Sequence, residues 1–355
     1  MKRPAALIAL LTLLALALPA GAEAKVSPDF FGSAAVEPTD ADFTGMAETG
    51  FGVYRFELSW RVIQGTRKGG YDWAYVDARM AQTARAGMTP SVIVYGTPRF
   101  VRKSPDGFFP PTDSKRNLKA WRDFLSAAAR RYGTDGSFWR DNPGLPKAPV
   151  RNWLIWNEQN ARAFWRPRPD PRDYAKLVEA SDRAISGVDR KAKIVLGGMF
   201  GYPHDQRSKS AVEFLRGLYG VKGIAKHFDA IDVHPYGSGV STVRKQVSQA
   251  RAVARRAGDR GVDTLIGELG WASSGPSKSD EVVGSKGQAK RLEQGLELLL
   301  RNRRKWNVIG VYVYLWRDFT MPTTCLWCPG AGLVELDGTP KPARNAVHGV
   351  IRSST

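Results

Sequence analysis

Two carboxylates are set apart by their neighbours. Glu158 lies in "LIWNEQN" (154–160), at the end of an apolar run and between two amides, where a turn residue is the ordinary choice. Glu268 lies in "DTLIGELGW" (263–271), at the end of another apolar run. Two carboxyl groups facing each other can cleave an acetal: one protonates the leaving oxygen, and the other attacks the carbon or activates water. Either residue alone has a plainer explanation, since a strand-end Glu often caps the next helix or pairs with an Arg. Two of them, each ending an apolar strand, argue for chemistry.

The elements that must position them can be counted. Strand candidates are 30–36, 53–60, 89–96, 150–158, 192–200, 228–236, 263–271 and 308–316. Amphipathic stretches near 40–49, 73–86, 114–132, 171–187, 208–219, 240–257 and 283–304 alternate with them, and a short helix is expected to close the chain at 341–351. Asp170-Pro171 is a helix-start signal. The strands read as nearly continuous apolar runs, as strands covered on both faces do. Eight strands, each followed by a helix, predict one α/β domain, a (β/α)8 TIM barrel.

In such a barrel the chemistry sits at the C-terminal ends of the strands. "FELSW", "WNEQN", "HPYG", "GELGW" and "YLWRDF" all fall there. The loops 97–113 and 317–338 are expected to wall a cleft on that face, and 133–150 to lie on the opposite one. Strand alternation puts Thr264, Ile266 and Glu268 on one face. Glu158 is the last residue of its strand, where parity says less.

The gross numbers bound the class. Residues 1–24 pair Lys2 and Arg3 with an apolar run ending at Ala22 and Ala24, the pattern of a signal peptide. The domain then spans 25–355, is secreted, and carries no membrane span after cleavage. The 355-residue chain has a net charge of +19; without Lys2, Arg3 and Glu23, a net +1, the remainder carries +18. Such a charge fits an anionic polymer, or simply Arg-rich helices such as "RAVARRAGDRG". No nucleic-acid motif is present. Cys325 and Cys328, in "CLWC", form an isolated pair suited to a disulfide; structural zinc needs four ligands, and no His lies near.

"WNEQN" followed by "GELGW" resembles the clan A glycoside hydrolases, a (β/α)8 superfamily of retaining enzymes, closest to families 39 and 5. The resemblance spans the chain from residue 25 onward through strand spacing, on short motifs. It implies Glu158 as acid/base after Asn157, at the end of the fourth strand, and Glu268 as nucleophile at the end of the seventh. Gln159 departs from the family pattern, where Pro is common. Arg55 resembles the second-strand Arg that hydrogen-bonds the nucleophile, although a salt bridge to Glu57 is the alternative. His234 and Tyr236 resemble the sixth-strand pair beside the nucleophile, and Trp316 the aromatic platform beneath the sugar. No cofactor and no metal are implied, because two carboxyls suffice.

Asn157 also has a physical rationale, because an amide there can hydrogen-bond a sugar 2-hydroxyl as the transition state forms. Trp60, Trp165, Trp271 and Trp327 fall at strand ends or in adjoining loops, and flat indoles suit pyranose faces; Trp165 is the leading extra subsite. Glu57, Asp232 and Asp318 rank as supporting groups. The expected partner is a polysaccharide or oligosaccharide, cut internally by a monomer. A transglycosidase and a noncatalytic carbohydrate-binding barrel remain as alternatives.

Overall fold

The computed structural model describes residues 25–202, 205–321 and 323–355. The signal-peptide reading of 1–24 lies outside the described residues. Nine strands form: β1 Phe31–Ser33, β2 Val53–Ser59, β3 Thr89–Tyr95, β4 Asn152–Ile155, β5 Lys193–Leu196, β6 Met199–Phe200, β7 Ala230–His234, β8 Asp263–Leu269 and β9 Val308–Val313. All pairings between them are parallel, β1 joins β9, and Val195 of β5 pairs Ala230 of β7. Eight strands therefore close into the expected (β/α)8 barrel, and the two-residue β6 sits outside the ring, paired to β7 alone.

The expected fifth strand, 192–200, is broken by Gly197-Gly198. A Cβ at Gly197 would stand 2.4 Å from Gln159 Oε1, and one at Gly198 1.8 Å from His234 Nε2. The two glycines give up a continuous strand to make room for side chains of the mouth.

Helices surround the ring, and local sequence fixes their ends. Thr39 and Asp42 form a capping box on Asp40–Thr49, which Gly50 ends in the left-handed region at φ 98°. Asp170 caps Pro171–Ser186 with Pro171 in its first turn, and Ser210 with Glu213 caps Ala211–Tyr219. The closing helix runs Pro342–Ser354. No helix among the described residues is long and apolar enough to cross a membrane.

Two apolar masses hold the frame. The larger lies between strands and helices. The smaller fills the barrel with Val53, Ile93, Leu154, Val195, Ala230, Leu265 and Tyr312. The segment 133–150 starts behind the helix Lys115–Tyr132, contains the short helix Ser137–Asp141 and leads into β4, so it lies on the N-terminal face as expected.

Candidate active site

Above the apolar plug, the same strands turn polar. Val53 lies in the plug and Arg55 is the next inward residue of β2; Ala230 is likewise followed by Asp232 and His234 on β7. Arg55, buried, donates from Nη1 to Glu268 Oε1 at 2.7 Å and from Nη2 to Asn157 Oδ1 at 3.3 Å. It does not turn to Glu57, which accepts from Tyr95 Oη at 2.6 Å. Tyr236 Oη donates to Glu268 Oε2 at 2.5 Å. His234 Nδ1 stands 3.0 Å from Glu158 Oε1 and 3.4 Å from Glu268 Oε2. The structure thus brings Arg55, Asn157, Glu158, His234, Tyr236 and Glu268 together.

Glu268 reaches the site by a route that simple alternation does not give. Leu265 faces the plug, whereas Thr264 donates to Trp306 O and Ile266 packs outward against the helices. The shared face of Thr264, Ile266 and Glu268 is therefore corrected: strict parity would send Glu268 outward. A register shift between Ile266 and Leu269 turns it inward. Gly267 permits the shift, because a Cβ there would meet Asp232 Oδ2 at 2.3 Å. Its N–H, released from the ladder, donates to Asp232 Oδ1 at 2.7 Å. Glycine inside a strand was the sequence signal for this bulge.

Glu158 is placed by the turn beyond β4. Trp156 and Glu158 both adopt positive φ, 71° and 43°. Such backbone is costly for side-chain-bearing residues and persists only when its surroundings hold it. Glu158 N–H donates to Gly198 O at 2.9 Å. Gln159, buried, donates from Nε2 to Gly197 O at 2.7 Å, and Asn160 binds Phe200 and Lys209 backbone. Gln159 thereby fixes the turn to the fifth strand from the position that the resemblance assigns to Pro.

The electrostatics divide unevenly. Burial raises the Glu268 carboxyl, but the charges of His234 and Arg55 and the hydrogen bonds from Tyr236 and Arg55 outweigh it and hold the group below its ordinary value. Burial opposes charge on His234, yet Glu268, Asp232 and Glu158 raise it to about 10, so it is an imidazolium at neutral pH. Glu57, on the cleft floor and open to solvent, is raised by the protein around it; Tyr95 and Arg55 only partly oppose this.

Potential ligand atoms of Glu158, His234 and Glu268 lie within 4.8 Å of one another, the geometry of a metal cluster. The Arg55 guanidinium already pairs with Glu268 Oε1 at 2.7 Å, which sets a fixed cation against one of the three groups.

Both catalytic candidates keep 12% of their side-chain surface open. Asn157 Nδ2 has no protein partner among the described residues and is free to meet a ligand. Rings wall the site. Tyr95 stacks on Phe108 of the 97–113 loop at 6.1 Å, while Tyr314 and Trp327 meet Tyr236 from the other side. The two loops read as cleft walls do reach it. Cys325 and Cys328 are bridged.

Two tryptophans lie elsewhere. β9 ends at Val313, so the alternation that takes Tyr312 inward does not carry to Trp316. Its indole is buried, donates to Asp42 Oδ1 at 2.9 Å and packs on Gly45 and Arg344, behind the site. Tyr314 stands at the mouth in its place. Trp165 is buried edge-on between Trp156 and Tyr174 and has no face to offer a sugar. Trp60 and Trp271 are likewise core. Asp318 pairs with the buried Lys341 at 2.6 Å.

The barrel has solved counterparts. A family 39 glycoside hydrolase from the gut symbiont Bacteroides cellulosilyticus superposes with a TM-score of 0.67 at 16% identity, over 92% of this chain and 64% of that one. A monomeric β-xylosidase from Caulobacter crescentus gives 0.67 at 21%, over 92% and 69%. A GH5_18 protein from Bifidobacterium longum subsp. infantis gives 0.65 at 14%, over 91% and 78%. What the chain shares with them is the fold, a (β/α)8 barrel. The chain spans only about two-thirds of the first two of these structures, 64% and 69%. No protein-family model matches the sequence, and no curated protein matches it.

Proposed function

We propose that the protein is an exported retaining β-glycosidase that cuts within a polysaccharide or oligosaccharide. The observation that carries this reading is the carboxylate pair. One carboxylate oxygen of Glu158 and one of Glu268 lie within 4.8 Å of each other, and only Glu268 is gripped by both Arg55 and Tyr236. Retaining enzymes hold the two groups about 5–5.5 Å apart, whereas inverting ones need roughly 6.5–9.5 Å to admit a water.

The two groups have different tasks. Glu268, kept ionised, attacks the anomeric carbon while Glu158 gives its proton to the departing oxygen. Glu158 then takes a proton from water, which attacks the same carbon and frees Glu268. The unpartnered Asn157 amide is placed to donate to the sugar 2-hydroxyl. Tyr314, Tyr95 and Phe108, each partly exposed, offer ring faces and edges to the pyranose.

A neutral carbohydrate fits the cleft better than an anionic one, despite the +19 chain. The cleft presents Glu57, Glu158 and Glu268, with Asp232 buried beneath them, against the cations Arg55 and His234. Export is supported by the leader-like start and by the Cys325–Cys328 bridge, which suits an oxidising compartment.

A screen of soluble neutral polysaccharides tests the reading. It expects oligosaccharide products that keep the β-configuration in the first NMR spectra. Inverted products, or no hydrolysis of any glycoside, would refute it.

A further inference from the structure

We propose that Trp327 is a positioning residue for Glu268, and that the Cys325–Cys328 bridge keeps it in place. The inference rests on Glu268 acting as nucleophile. Tyr236 sets that carboxylate through its 2.5 Å hydrogen bond, so whatever fixes the phenol ring tunes the nucleophile. The nearest ring to Tyr236 is Trp327, with centroids 4.8 Å apart at 65°. Tyr314 touches both rings, at 6.1 Å from Tyr236 and 5.7 Å from Trp327. These three, with Ala272, Leu315 and Ala331, form an apolar cluster separate from the main core.

The bridged turn aims its two inner residues in opposite directions. Leu326 is 65% exposed and Trp327 is 9% exposed. Downstream the turn is anchored: Gly330 O accepts from Ser273 N at 2.9 Å and from Lys341 Nζ at 3.4 Å, and Lys341 is tied to Asp318. Upstream, Met321 is exposed, and the outer face at Leu326 borders a cavity of about 500 Å³ lined also by Phe319 and Leu336. Packing does not press the indole inward from that side. The covalent link to the upstream arm closes the turn instead, and this closure is what would hold the ring against Tyr236.

The test reads Glu268 directly. The protein is labelled with ¹³C-glutamate at the carboxyl, the Glu268 signal is assigned by its loss in Glu268→Gln, and its titration is followed. Wild type is compared with Trp327→Leu, Trp327→Phe and the Cys325→Ser/Cys328→Ser double variant, each also on a Tyr236→Phe background. Weaker donation from Tyr236 favours the protonated carboxyl, so Glu268 should titrate higher in Trp327→Leu and in the double serine variant. Trp327→Phe, which keeps a ring, should restore most of the wild-type value. On the Tyr236→Phe background, none of the changes should move Glu268 further.

In turnover, Trp327→Leu should lower kcat roughly tenfold with little change in KM, as a small misplacement of a reacting group does. An unmoved titration in Trp327→Leu, or a full additional shift on the Tyr236→Phe background, overturns the proposal. The titration needs no substrate. An unmoved Glu268 therefore counts against Trp327 alone, whereas absence of glycoside hydrolysis by wild type counts against the proposed activity.

Discussion

The floor and the mouth of the barrel are built from the same strands two to four residues apart, yet they are held together differently. At the floor, Val53, Leu154, Ala230 and Leu265 interlock without a charge among them. At the mouth, Arg55, Asp232, His234 and Glu268 are buried and ionisable, and each depends on the others for compensation. Apolar packing tolerates neighbours of the right size and stabilises in proportion to area. A buried charge network is all or nothing, because removing one partner leaves another unpaired. The floor supplies a rigid frame, and the mouth uses that rigidity to keep two carboxylates at a fixed spacing.

The largest effect expected is at the mouth. Glu268→Gln should lower kcat by about 10⁴-fold or more on any glycoside the wild type cleaves, since the proposed nucleophile would act with its partners as a unit. Residual activity within about tenfold of wild type would dissolve the contrast between the two layers.

At the floor, Leu154→Ala should cost about 2–5 kcal/mol in urea unfolding through the cavity it leaves, with kcat per folded molecule nearly unchanged. A loss of kcat as large as that of Glu268→Gln would mean that the floor participates in the chemistry.

Smaller changes sharpen the comparison. Tyr236→Phe removes one donor to Glu268 and should cost about 10–10²-fold in kcat. The acid limb of kcat/KM should move to higher pH, because loss of a donor to the carboxylate favours its protonated form. An acid limb left in place would separate Tyr236 from the nucleophile.

How much of this was legible in the sequence follows the same division. The alternation of strand and helix was, because apolar runs and caps are local. The two carboxylates were, because a charge ending an apolar strand is costly without a purpose. Glu268 was found for an incorrect reason: parity assumed an unbroken β8, and the bulge at Gly267 depends on Asp232, a partner on another strand. Trp316 and Trp165 failed because an aromatic near a strand end does not say which side of the chain it leaves. Gln159 read as a departure from a pattern, and its tie to Gly197 appears only when the fifth strand lies alongside.

The pH dependence of stability tests the charge network with the gentlest perturbation. The folded value of His234, about 10, lies above its ordinary 6.5. Its contribution to stability is therefore fully present below about pH 6.5 and is lost as pH rises through about 10. The Tm of wild type should fall over that window more steeply than that of His234→Asn. Parallel curves would mean that His234 is not held charged. Smallest of all, Trp165→Phe should leave KM within about twofold, as suits a core residue.

The central claim is that Glu268 is the group that bonds to the sugar. An activated 2-fluoro glycoside of whichever sugar the wild type cleaves should inactivate it by trapping that ester. Peptide mass mapping should then find one label, on Glu268. A label on Glu158, Glu57 or any other residue, or continued turnover with no trapped ester, would contradict the account.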